Sequence, residues 1–200
     1  MTTQIIDNFL NKVQARQLEL KSQKMSIPWN WNREFIYKDT SLVYEFIKND
    51  ENIICPNGGT FFYQIIKDNE QIGNEVKDYF NFPNMVEEKF NVRIRNIHLM
   101  RLNFTPPLGY QTAKYTCPHM DNTDPLGRSV IYYITDNDGD TVFFEEMYDQ
   151  KINFSKKTVK YRVSPTKGKA ILFDSRQYHA AGLPSNNIKM ILNMIFVIDP

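Results

Sequence analysis

A mainly β chain of the α+β class is what the sequence predicts, and three features predict it. Aromatic residues make up 14% of the 200 residues, with 11 Tyr and 14 Phe, a composition that suits pleated, half-buried surfaces better than a helical bundle. From Val92 onward, apolar segments of strand length recur about every 10 to 15 residues with no helical spacing between them. Before that point apolar residues return at helical intervals, so helices should precede the strands and brace one face of a sheet.

Taken in order, Gln4 to Leu10 reads as a short strand. Asn11 and Gln14 have the spacing of a capping box, which starts a helix running to about Ser22. Ile27-Pro-Trp-Asn-Trp-Asn32 cannot continue a helix through its proline and alternates large apolar with polar side chains, so it reads as an edge strand. Trp29 and Trp31 are expected to pack in the core or over the barrel as a lid. Thr40 to Lys48 is too short and mixed to assign. Pro56-Asn-Gly-Gly59 is a turn that feeds the aromatic strand 60–66. Between Asn69 and Phe90, Ile72, Val76, Tyr79 and Phe80, then Met85, Val86 and Phe90 after Pro83, predict two helices against a sheet.

The remaining strands are expected at 93–104, 111–118, 129–135, 140–146, 157–163, 169–173, 177–181 and 188–198. This number of strands after a helical preface suits a double-stranded β-helix, a jelly-roll (cupin-like) barrel with a small site in its open mouth. Neither repeats nor low-complexity linkers interrupt the chain, so residues 1–200 are expected to form a single domain, with 1–91 as a preface packed on a 92–200 core.

Composition narrows the function less. Twenty-four basic and 23 acidic residues leave a formal charge of +1, so no general field favours polyanions and nucleic acid is neither required nor excluded as a substrate. Only Cys55 and Cys117 occur, and the N-terminus lacks a basic segment followed by an apolar run. Both features fit a reduced, cytoplasmic protein without a signal peptide, in the host cytoplasm if the source is viral. No stretch approaches the roughly 18 consecutive apolar residues of a membrane span.

Chemistry concentrates at Cys117-Pro-His-Met-Asp121 and at His179. On an extended backbone His119 and Asp121 project from the same side and can present an imidazole and a carboxylate to one point. His179 would complete a set of two histidines and one carboxylate, which suits non-haem Fe(II) and leaves three coordination positions open. His119 standing alone would read as a surface histidine at a strand end. Of the three histidines, His98 lies within a strand and reads as packed or on the surface. Cys117 shares the parity of His119, and a thiolate there would favour zinc; Pro118 breaks the pleat between them, so Cys117 reads as a small neighbour. Lys189 opens a strand whose alternate members Ile191, Asn193 and Ile195 share its side. It is either an outward lysine at a strand start or an inward one that needs an anion to offset its desolvation.

These residues, with Gly168, Phe173 and the strands Val130-Ile-Tyr-Tyr-Ile134 and Gly139-Asp-Thr-Val-Phe-Phe144, resemble the Fe(II)- and 2-oxoglutarate-dependent dioxygenases, and in particular the prolyl 4-hydroxylase-like branch, which uses Lys in the place of Lys189. The resemblance covers roughly residues 93 to 198. Pro28-Trp29 with the aromatics that follow is similar to members encoded by bacteriophages.

The resemblance implies the jelly-roll barrel, with His119, Asp121 and His179 as catalytic metal ligands. It further implies that Lys189 holds the distal carboxylate of 2-oxoglutarate and that Tyr133 donates its phenol to the same carboxylate, leaving Tyr132 on the opposite side of the sheet. Fe(II), 2-oxoglutarate and O2, with ascorbate as a further reductant, are the implied cofactors and cosubstrates. The implied reaction is hydroxylation coupled to decarboxylation of 2-oxoglutarate to succinate and CO2. Peptidyl-proline is the favoured substrate, with another protein side chain, a nucleobase or a free metabolite open. Asn103, Tyr110, Tyr115 and Arg176 are candidates for the mouth that holds it. The competing reading is a catalytically idle barrel that binds a ligand or serves as a structural virion part.

Overall fold

The computed structural model describes residues 2–23, 27–32, 60–72, 79, 81–107, 115–148 and 158–200. Among these the chain runs β1 (Gln4–Ile6), α1 (Lys12–Ser22), β2 (Asn30–Asn32), β3 (Thr60–Lys67), β4 (Glu70–Gln71), α2 (Phe82–Phe90), β5 (Ile94–Thr105), β6 (Gly127–Tyr133), β7 (Thr141–Met147), β8 (Val159–Val163), β9 (Ala170–Asp174), β10 (Gln177–Ala181) and β11 (Lys189–Ile198). The strands form an eight-stranded sheet ordered β1-β9-β6-β11-β5-β3-β2, with β4 added beside β3, and a three-stranded sheet ordered β10-β7-β8. All pairings of named strands are antiparallel. No described helix is long and apolar enough to cross a membrane.

Both helices are set locally. Asn11 Oδ1 accepts the Gln14 N–H at 2.9 Å and Gln14 Oε1 accepts the Asn11 N–H at 3.2 Å, so the expected capping box is complete. Pro83 occupies the first turn of α2, where its missing N–H costs nothing, and Asn91 ends the helix at φ 52°, a left-handed conformation that Asn tolerates better than most residues.

Strand parity divides the large sheet into two unlike faces. Its outer face carries Met100, Leu102, Val130, Tyr132, Leu172, Met190, Leu192, Met194 and Phe196, and against them pack Phe9, Leu10 and Leu18 from the α1 region with Phe82, Val86 and Phe90 of α2. The inner face carries Ile131, Tyr133, Ile171, Phe173 and Ile191, which meet Phe143, Tyr161 and Val163 of the small sheet. Phe143 lies at the centre of this second layer, 5.0 Å from the Phe173 ring in an edge contact and 4.9 Å from Tyr161 in a stacked one. The aromatic contacts of this layer thus centre on β7, β8 and β9.

Two expectations change. The first helix predicted from Asn69 does not begin there: β3 and β4 form a hairpin, with Asp68 and Asn69 at φ 49° and 65°. A two-residue turn with both φ positive matches the twist of the flanking strands, and this local geometry overrides the helical spacing that Ile72 helped to suggest. Ile72 is 55% exposed, whereas Tyr79 is buried and shares a hydrogen bond with Ser22; Val76 and Phe80 lie outside the described residues. The strand predicted at 111–118 is represented, within those residues, by isolated bridges of Tyr115 to Gly182 and His119 to His179. Pro118, lacking an N–H, cannot continue a ladder between them. Strand 4–10 is shorter than expected, since the chain turns after Ile6 to deliver Phe9 and Leu10 to the core. Trp29 is half-buried against Phe104; the Trp31 side chain, Thr40–Lys48 and the 56–59 turn lie outside the described residues.

Candidate metal centre and adjoining cavity

His179 sits in the middle of β10, and His119 lies beside it through a reciprocal pair of backbone hydrogen bonds, 2.9 Å from His119 N–H and 2.8 Å from His179 N–H. Two residues on, the Asp121 N–H donates to the Ser175 carbonyl at 2.8 Å. The backbone thus brings together three side chains that are 60 residues apart at their extremes. One donor atom from each of His119, Asp121 and His179 lies within 4.8 Å of the others. His119 Nε2 is 3.9 Å from Asp121 Oδ1, and His179 Nε2 is 3.7 Å from Asp121 Oδ2.

The imidazoles are oriented from behind. His119 Nδ1 is 3.2 Å from the Cys117 carbonyl, and His179 Nδ1 is 3.0 Å from the Gln177 carbonyl. A carbonyl only accepts, so each Nδ1 carries the hydrogen and each Nε2 lone pair faces the shared point. Burial, reinforced by the neighbouring His179, pushes His119 down to about 4 against the opposing pull of Asp121; His119 is therefore a neutral donor at pH 7. Edge contact with Phe173 at 4.8 Å holds the ring of His179. Asp121 Oδ2 accepts the Ser129 hydroxyl at 2.6 Å, and Ser129 Oγ lies 3.0 Å from Ser175 Oγ. Two imidazole nitrogens and one carboxylate oxygen converging on a point fit a divalent first-row metal such as Fe(II). Cys117 is not one of that set: it is buried and packs with Val142, Phe144 and Ala180.

A cavity of about 110 Å³ is lined by both histidines and by Lys189. Lys189 is 3% exposed, and its ammonium donates to the carbonyls of Gly139 at 2.6 Å and Gly182 at 3.1 Å. Burial lowers it to about 7, with only the charge of Asp140 acting the other way. Those two carbonyls can come together only because the chain segments cross at glycines. A Cβ on Gly139 would lie 2.6 Å from the Gly182 oxygen, and one on Gly182 would lie 2.5 Å from the Asp140 oxygen. Along the wall, Asn103 Oδ1 and Asn193 Oδ1 are buried without a hydrogen-bond partner among the described residues. An orphaned buried carboxamide is costly in a dry wall, so the cavity suits a polar occupant. A buried lysine and a candidate metal group bordering the same cavity suit a dianionic chelator such as 2-oxoglutarate.

Tyr133 faces inward and Tyr132 lies in the helix-facing layer. The Tyr133 phenol bonds the Thr141 hydroxyl, and it is Thr141 that lines the cavity. Burial raises the phenol, so it remains a neutral donor. Among the mouth candidates, Asn103 lines the cavity, Tyr115 is buried in an edge contact with Phe144, and Arg176 is tied to Asp174 at 2.8 Å; Tyr110 lies outside the described residues. His98 is remote, 3.8 Å from Asp68. Sequence reasoning did not single out Ser129 and Ser175, which stand behind Asp121, or Arg101 and Thr141, which line the cavity. A polar residue at an inward parity position of a buried strand was the available signal for Ser129 and Arg101.

No protein-family model matches the sequence, and no curated protein matches it. In three dimensions the chain has the fold of the 2-oxoglutarate-Fe(II) oxygenases. Over 98% of its length it superimposes on 85% of an oxidoreductase of that family from Burkholderia pseudomallei, with a TM-score of 0.63 at 10% identity. Prolyl hydroxylases are among the structures it resembles. One from Trichoplax adhaerens, solved with a peptide fragment of the hypoxia inducible factor oxygen degradation domain, matches 98% of this chain and 83% of its own at a TM-score of 0.60 and 16% identity. A prolyl-4-hydroxylase from Pseudomonas putida matches 98% and 92% at a TM-score of 0.57 and 14% identity.

Proposed function

We propose that the chain is a single-domain Fe(II)- and 2-oxoglutarate-dependent oxygenase whose two sheets form a double-stranded β-helix. The observation that carries the reading is one cavity lined both by His119 and His179, whose imidazoles converge with Asp121, and by a buried Lys189 whose ammonium is held by two backbone carbonyls. Iron bound there would supply the redox chemistry that couples decarboxylation of 2-oxoglutarate to succinate and CO2 with hydroxylation of a C–H bond; ascorbate would serve as a supporting reductant. The two imidazoles and Asp121 hold the metal. Lys189 binds the distal carboxylate, with Thr141 and Tyr133 supplying hydroxyl donors beside it. Ile131 and Ile191 also line the cavity and would help to keep water from the reacting centre. Peptidyl-proline is the favoured substrate, on the strength of Lys189, the Ile-Tyr-Tyr strand and the prolyl-hydroxylase fold.

The test is direct. Under anaerobic conditions the purified chain with Fe(II) and 2-oxoglutarate should develop a weak visible metal-to-ligand absorption band, and on admission of O2 it should produce succinate, faster with a proline-containing peptide. Absence of both the band and succinate would favour an idle barrel.

A further inference from the structure

Asp121 is held by more than its place in the chain. A carboxylate only accepts hydrogen bonds, so the 2.6 Å contact to Oδ2 uses the hydrogen of Ser129. The 3.0 Å contact between the two serines must then be donated by Ser175. The order Ser175 to Ser129 to Asp121 is thereby fixed, and donors in series strengthen one another. Ser129 and Ser175 are both fully buried, so no solvent competes. Ser175 acts twice, because its carbonyl also accepts the backbone N–H of Asp121 at 2.8 Å and that of Asn122 at 3.3 Å. One residue at the end of β9 therefore sets both the main chain and, through Ser129, the side chain of the carboxylate.

We infer that Ser129 is a positioning residue that restricts Asp121 to offering the metal one oxygen. This rests on the metal-binding reading of the triad. The hydroxyl occupies one lone pair of Oδ2 and fixes the rotation of the carboxylate, which favours Oδ1 as the single donor; a carboxylate free to turn could bind through both oxygens and take a further coordination position. Two histidines and one carboxylate oxygen leave three positions of an octahedron open, two for a chelating keto-acid and one more. Ser129 keeps that last position available.

Full-length wild type, Ser129→Ala, Ser129→Thr and Ser175→Ala are titrated with Co(II), a spectroscopic substitute for Fe(II), against a chromophoric chelator, and the intensity of the Co(II) visible bands reports coordination number. Loss of an outer partner of a ligand weakens metal binding by about 10- to 100-fold. Ser129→Ala is expected to show that loss together with a changed band intensity, Ser129→Thr to stay near wild type, and Ser175→Ala to fall between them. The bands are read only on protein whose thermal unfolding remains cooperative; should Ser129→Ala fail that check, Ser175→Ala carries the comparison. Wild-type affinity and an unchanged spectrum in the alanine variants overturn the inference while leaving the metal site standing. Failure of the wild type to bind Co(II) removes the site itself.

Discussion

Replacing Lys189 by Ala separates a 2-oxoglutarate enzyme from other uses of the same metal triad. In the wild type the ammonium is 3% exposed and held by two neutral carbonyls, so a bound carboxylate would be its charged partner in a desolvated pocket. Removing the cation leaves that carboxylate unpaired there, a loss of about 3 kcal/mol or more, which is over about a hundredfold in affinity. Lys189→Arg should lose less, since the charge survives, but its planar fork must displace the Gly139 and Gly182 carbonyls that fit a slender stem. The wild type should also show a pH dependence with a definite sign. Burial has lowered Lys189 to about 7, so above neutrality the empty site must take up a proton before it can pair with the carboxylate. Each pH unit above that value costs about 1.4 kcal/mol, roughly tenfold in affinity; below it, affinity levels off. Calorimetric titration of the anaerobic Fe(II) form with 2-oxoglutarate, in buffers of different ionisation enthalpy, reads both affinity and proton uptake. Equal affinities for wild type and Lys189→Ala would refute the reasoning and take away the main ground for 2-oxoglutarate as cosubstrate.

Two further outcomes are expected. Asp121→Ala should abolish iron retention and succinate formation with little effect on thermal unfolding, because the residue lies outside the named strands and its neighbours Ser129 and Ser175 can still bond each other; metal analysis and a succinate assay check this, and undiminished succinate would remove Asp121 from the ligand set. Deleting residues 1 to 90 strips Phe9, Leu18, Val86 and Phe90 from the outer sheet face and should leave an exposed apolar surface and insoluble protein; a soluble 91–200 fragment that melts cooperatively would show that the preface is a separable module.

Much of this architecture could be read from alternation alone. The assignment of Lys189, Ile191 and Asn193 to one side of β11, and of Tyr132 and Tyr133 to opposite sides of β6, needs only a period of two and a correct register. The capping box of Asn11 and Gln14 was legible for the same reason, being contained within four residues. The Asp68-Asn69 hairpin was not, because the positive φ of both residues is a local choice that competes with a helical pattern of equal apparent strength. Nor was the Ser175-Ser129-Asp121 series, whose serines are 46 residues apart in sequence and meet only when β6 and β9 pair. The near-contact of His119 with His179 was inferred from residue types, yet the bridge that creates it joins β10 to a His119 that lies in no named strand.

The glycine crossing beneath Lys189 has a consequence for how this site can change over time. Gly139 and Gly182 lend the site no side chain, yet any side chain at either would force apart the segments whose carbonyls cradle the ammonium. A lineage could therefore not exchange this lysine for arginine in one step at little cost: the backbone on both sides would have to move as well, and each of those moves alone would loosen the cradle for lysine. The choice of cation is thus entrenched by two residues without side chains, and a deep mutational scan should find Gly139 and Gly182 nearly as intolerant as the metal ligands themselves.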